Sequence, residues 1–83
     1  ANKAAAVTRL AELLGIALDE ILVIGDDDND IEMFQMGCKS AAVSNVSENA
    51  RPFASYVSHL PEFQGVKEIV RKFCFDDGVD YYE

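Results

Sequence analysis

Basic residues are scarce in this chain: seven Lys and Arg stand against fifteen Asp and Glu, a net charge of −8 at pH 7. A nucleic acid or an anionic membrane surface selects a basic patch that releases counterions, so this balance argues against both as partners. Half of the net charge has a local origin. Asp76, Asp77, Asp80 and Glu83 supply four of the eight negatives and mark residues 76–83 as an acidic, solvated tail, a candidate for disorder that also holds Tyr81 and Tyr82. Cysteine is nearly absent: Cys38 and Cys74 lie far apart, in neither a C-x-x-C pair nor a metal-ligand spacing. That excludes a disulfide framework and favours a reduced, cytoplasmic protein. No run approaches the about 18 apolar residues of a membrane span, and the N-terminus lacks the charged-then-apolar layout of a signal peptide. Histidine occurs once, as His59 in a loop beside Leu60 and Pro61, where a structural or exposed role is the plain reading. The chain opens on Ala and not Met, which initiator removal or excision from a longer polypeptide would each explain.

With 49% hydrophobic and 27% charged residues, the composition is that of a folded globular domain. A chain this short buries only about 60% of its unfolded surface, so one marginally stable domain over residues 1–75 is expected. In residues 3–14 the apolar Ala6, Val7, Leu10, Leu13 and Leu14 recur at three and four, the helical period, and Gly15 supplies a C-cap. Ile21, Leu22, Val23 and Ile24 form a short continuous apolar run that suits a central strand buried on both faces of a parallel sheet. A helix is expected over residues 28–36, a small strand over 41–43, a helical turn or two from Ser47 toward Ala54, a strand over 56–58 and a last helix over 66–73. Strands alternating with helices predict an α/β fold, a three-layer Rossmann-like parallel sheet with helices on both faces.

The stretch IGDDDND, residues 24–30, carries the chemistry. An apolar strand ends in glycine and then in five acidic or amide side chains that repel one another, where helix capping needs only one. Ligands of open α/β sheets bind beyond the carboxyl ends of the strands, and that edge delivers Asp26 at the strand tip and Asp30 in the first helical turn. Magnesium takes hard oxygen ligands, usually one or two carboxylates plus water and a phosphate oxygen, so Asp26 and Asp30 make an adequate half-site for Mg2+. A calcium EF-hand loop fails, because its turn glycine would be Ile31 and its closing glutamate Gly37. A response-regulator receiver fails too, with Ile69 and Val70 where its phosphoacceptor aspartate would stand. Lys3 is the second clue. It lies in the first turn of its helix, where the dipole disfavours a cation unless an anion such as phosphate is bound.

Together these stretches give a resemblance: NKAAAVTRLAELLGIALDEILVIGDDDNDIEMF is similar to the third and fourth motifs of the Cof-type phosphatases of the haloacid dehalogenase superfamily. The spacing from Lys3 to Asp26 matches as well, and the likeness runs through SAAVSN and YVS to GVKEIV. The resemblance implies the C-terminal half of such a core. It implies a magnesium-dependent phosphohydrolase acting on a small phosphorylated metabolite, a sugar phosphate among the candidates. Asp26 and Asp30 would hold magnesium, Lys3 would serve catalysis by neutralising the transferring phosphoryl group, and Asn29 would orient the phosphate or a water beyond the metal's ligands. Asp27 and Asp28 occupy variable positions and receive no catalytic part. Ala4 stands where glycine is common. The nucleophile, which the resemblance places in an upstream D-x-D motif, has no counterpart before Lys3, so the chain alone is not expected to turn over. The alternative from another class is a non-catalytic metal- or phosphate-binding or interaction module. Because the strand that would carry the nucleophile lies beside residues 21–24 in that family, this strand is also expected to pair with a further segment or with a second copy.

Overall fold

The computed structural model describes residues 2–75, and the acidic tail lies outside the described residues. Helix α1, Lys3–Leu14, opens at Asn2, whose side chain accepts from the Ala5 amide at 2.8 Å. It closes at Gly15, whose φ of 67° is the left-handed cap that glycine reaches without a Cβ penalty. Strand β1 is Leu22–Gly25, helix α2 Ile31–Phe34, β2 Lys39–Ala42, β3 Tyr56–Val57 and helix α3 Glu62–Cys74. All pairings are parallel and the sheet order is β1-β2-β3, with Val23 opposite Ser40 and Ala42 opposite Val57.

Alternating side chains divide the core between two faces. Val23, Ala42, Met33, Phe34, Val46 and Ala50 pack on one face with Val7 of α1. Ala41, Val43 and Ile69 pack on the other, with Leu22, Ile24, Tyr56 and Val66 around them, so α3 covers that side. The three layers follow from this division, and β2 sits in the middle with Ala41 and Ala42 fully buried.

The elements differ from the sequence expectation in five informative ways. Strand β1 is buried on one face only: Val23 is buried, while Leu22 and Ile24 are half-buried, because among the described residues β1 has a neighbour on one edge alone. The apolar stripe of α1 is largely uncovered, with Leu10, Leu13 and Leu14 at 52%, 66% and 61% exposure and only Ala11 buried. The helix expected over 28–36 is a 3-10 turn, Asp28–Asp30, followed by the short α2, and the helical stretch before Ala54 reduces to a 3-10 turn, Arg51–Phe53, with Pro52 in its first turn. Finally, α3 begins four residues early and runs through Gly65. A Cβ there would collide with the Leu60 carbonyl and sit 2.8 Å from Val43 Cγ1, so this glycine serves close packing and does not break the helix.

Candidate functional site

The carboxyl end of β1, the start of α1 and the start of α3 meet around an open cavity of about 200 Å³. Lys3, Gly25, Asp26, Asp30 and Glu62 line it, with Ile24, Val43 and Val66 as its apolar floor. Three of the residues singled out from sequence, Lys3, Asp26 and Asp30, are thus brought together. Asn29, the fourth, is exposed in the Asp28–Asp30 turn and does not line the cavity.

Asp30 organises the site. Its side chain is buried, with Oδ1 accepting from Lys3 Nζ at 2.6 Å and Oδ2 accepting from the Asp26 and Asp27 amides at 2.9 and 3.1 Å. Burial pushes its carboxyl up, but the hydrogen bonds from Lys3 and the two backbone amides outweigh that and hold it below the usual aspartate range. The same hydrogen bond, with the charge of Asp30, raises the Lys3 ammonium above its ordinary value; Asp26 and Asp27 add to the effect. Both groups are therefore charged across the neutral range. The conflict between Lys3 and its helix dipole, which from sequence favours a bound anion, is met within the chain by the Asp30 carboxylate.

Gly25 is the position that permits this. A Cβ there would lie 2.5 Å from Asp30 Oδ2 and 2.7 Å from its Cγ, inside any real contact. The strand must end in a residue without a side chain for the carboxylate to fold back over the loop. Asp27 caps the turn, its side chain accepting from the Asp28 amide at 2.7 Å.

As a cation site the donor set is incomplete but of the right kind. Among the described residues no group of three or more His, Cys, Asp or Glu converges on one point. Asp26 offers an exposed carboxylate, and Asp30 Oδ1 accepts one hydrogen bond from Lys3, leaving further acceptor capacity. Two hard oxygen donors that leave most of an octahedron to other ligands suit magnesium, which keeps several waters.

Two features escaped the sequence reading. Glu62 joins the cavity from α3 with a φ of 48°, and nothing in the local pattern signals it. Asp28 is not idle: Oδ1 accepts from Ser47 Oγ at 2.5 Å and Oδ2 from Asn49 Nδ2 at 3.0 Å. These hydrogen bonds hold its carboxyl below the usual range. Ser47 and Asn49 read as helix openers in the sequence, and only the fold shows where they turn. His59 is exposed, and Cys38 packs beside the α2 face of the core, where burial pushes its thiol up, in keeping with a small apolar role. No helix of the described residues is long and apolar enough to cross a membrane.

Comparison with known proteins points one way. A family model for haloacid dehalogenase-like hydrolases matches residues 1–70. The phosphoglycolate phosphatase of Thermoplasma acidophilum is 36% identical over 72 residues, 87% of this chain and 32% of that protein. A chloroplastic endoribonuclease of Arabidopsis thaliana is 34% identical over 74 residues, but these make up only 13% of its length. Among solved structures, a Thermoplasma acidophilum protein superposes with a TM-score of 0.80 at 37% identity, over 86% of this chain and 32% of that one. The 3-deoxy-D-manno-octulosonate 8-phosphate phosphatase of Moraxella catarrhalis, solved in complex with magnesium, phosphate and KDO, gives 0.79 at 26% identity, over 86% of this chain and 41% of that one. The chain spans about a third of the length of the phosphoglycolate phosphatase.

Proposed function

Given that the chain belongs to the haloacid dehalogenase-like hydrolases, we propose that it is the lysine- and metal-bearing part of a magnesium-dependent phosphohydrolase acting on a small phosphorylated metabolite. The phosphoglycolate in the name of the Thermoplasma relative falls in that class. One observation carries the reading: Lys3, Asp26 and Asp30 meet at the carboxyl end of β1 although 27 positions separate Lys3 from Asp30.

The roles follow from the chemistry of the side chains. Lys3 presents a point charge to the equatorial oxygens of a phosphoryl group, held in place by Asp30. Asp26 and Asp30 would hold magnesium, which supplies charge neutralisation to the phosphate when bound. Asn29 is exposed in the turn and outside the cavity lining, so its part in orienting the phosphate or a water rests on the family resemblance alone. The carboxylate that attacks phosphorus and its acid–base partner come from a D-x-D segment outside these 83 residues. The test is calorimetric: the wild-type chain takes up magnesium weakly, and the Asp26→Asn, Asp30→Asn double variant does not. Equal uptake by both would remove the metal assignment.

The edge of β1 that no described strand occupies, and the exposed Leu10, Leu13 and Leu14, have a role in the same scheme. An apolar strand with unpaired backbone groups and no protecting lysine or proline pairs with further polypeptide. Here that is either the segment bearing the nucleophile or a second copy of this chain. Light scattering of the isolated chain should show dimers or larger species; a stable monomer at high concentration, with fast amide exchange along residues 21–24, would count against it.

A further inference from the structure

We propose that Asp28 is a positioning residue: its carboxylate clamps residues 44–50 onto the metal loop and thereby fixes the backbone from which the Asp26 carboxylate projects. The inference rests on the magnesium reading above and assigns work to a side chain that the motif leaves variable.

An aspartate that served only as a solvated turn residue would not have both of its oxygens engaged by distant side chains. Asp28 receives Ser47 Oγ from 19 positions away and Asn49 Nδ2 from 21. Ser47 is the pivot. Its amide donates to the Asp26 carbonyl at 3.0 Å, and its Oγ also accepts from the Ala50 amide at 3.3 Å. The Asp26 peptide groups are therefore held from both sides, the amide by Asp30 Oδ2 and the carbonyl by Ser47. Only the carboxylate of Asp26 is left to swing.

The other end of the same segment is tied to the start of α3 and to the loop just before it. The Ser44 amide donates to the Leu60 carbonyl at 2.9 Å, and Asn45 Oδ1 accepts from the Glu62 amide at 3.1 Å. Residues 44–50 thus bridge the metal loop to the element that carries Glu62 and Val66 into the cavity. A rigid outer layer of this kind limits how many orientations a metal ligand must surrender on binding.

Clamp and charge make different predictions, so the test separates them. Magnesium affinity is measured by calorimetry for the wild-type chain and for Asp28→Ala, Asp28→Asn, Ser47→Ala and Asp28→Ala with Ser47→Ala. Loss of such an outer partner weakens metal binding by about tenfold or more, and that is the expected result for Asp28→Ala and for Ser47→Ala, although the latter keeps every acidic group. The double variant should bind no more weakly than either single one. Asp28→Asn keeps an acceptor that the Ser47 hydroxyl and the Asn49 amide can meet by rotating, so most of the affinity should return without the charge. Faster exchange of the Ser47 amide in Asp28→Ala, with the fold intact, is the accompanying sign. Wild-type affinity in Ser47→Ala, or equal weakening in Asp28→Asn and Asp28→Ala, would overturn the clamp. Absence of magnesium uptake by the wild-type chain is a distinct result, and it would overturn the metal reading together with this role for Asp28.

Discussion

Gly25→Ala is expected to cost the chain at least half of its folding stability. The added Cβ would sit 2.5 Å from Asp30 Oδ2 and 2.8 Å from Asp30 Cβ, and a short, buried side chain has little room to retreat. Overpacking of this kind costs about 1–3 kcal/mol. Displacing the carboxylate also costs the Asp26 and Asp27 amides their acceptor, at about 1.5–3 kcal/mol for a hydrogen bond to a charged group. Domains hold only about 5–15 kcal/mol in total, and one of this length lies toward the lower end. Urea unfolding is the measurement, with Gly15→Ala as the comparison. Gly15 has a φ of 67° but open space around it, so its substitution carries only the left-handed backbone cost of about 1–2 kcal/mol. A Gly25→Ala midpoint no lower than that of Gly15→Ala would show that the Asp30 carboxylate does not depend on a bare backbone at position 25.

Lys3→Ala should be the most damaging change to activity. The isolated chain is expected to hydrolyse phosphate monoesters no faster than background, so turnover is measured in a polypeptide that also supplies the D-x-D segment. Removing one preorganised group that stabilises transition-state charge lowers kcat by about 10²- to 10³-fold. Lys3 also anchors Asp30 at 2.6 Å, so the loss should extend to magnesium affinity and not stop at the phosphate. Lys3→Arg keeps the charge but replaces a compact ammonium with a planar fork, and should fall between. Multiple turnovers by the 83-residue chain alone, abolished by Lys3→Ala, would instead reveal a nucleophile within it.

The sequence was most informative where the signal is local. Helix α1 begins and ends where the apolar period and Gly15 put it, and the alternation of elements pointed to the parallel sheet. The meeting of Lys3 with Asp26 and Asp30 was legible because the strand end and the motif spacing both point there. What escaped notice depends on partners distant in the chain. The helix expected from residue 28 is a local exception: it starts as a 3-10 turn, with Asp30 bent back to the Asp26 and Asp27 amides four and three positions away. The last helix, expected from residue 66, begins at Glu62 and takes in Gly65, where Val43 and the Leu60 carbonyl leave no room for a Cβ. The clamp on Asp28 joins residues 19 and 21 positions apart, and no window of pattern reading spans that distance. The exposure of Leu10, Leu13 and Leu14 is a further case: periodicity identifies an apolar stripe and not what covers it.

Strands β1, β2 and β3 lie across the sheet in the order in which they are synthesised, with β1 outermost among the described residues. Each new strand therefore docks on its immediate predecessor, and none of the three has to be inserted between two that are already paired. Each pairing joins residues only 17 or 15 positions apart, a single crossover for each added strand. A segment added at the edge of β1 that no described strand occupies would arrive after these strands are in place, and leave again, without unthreading any of them.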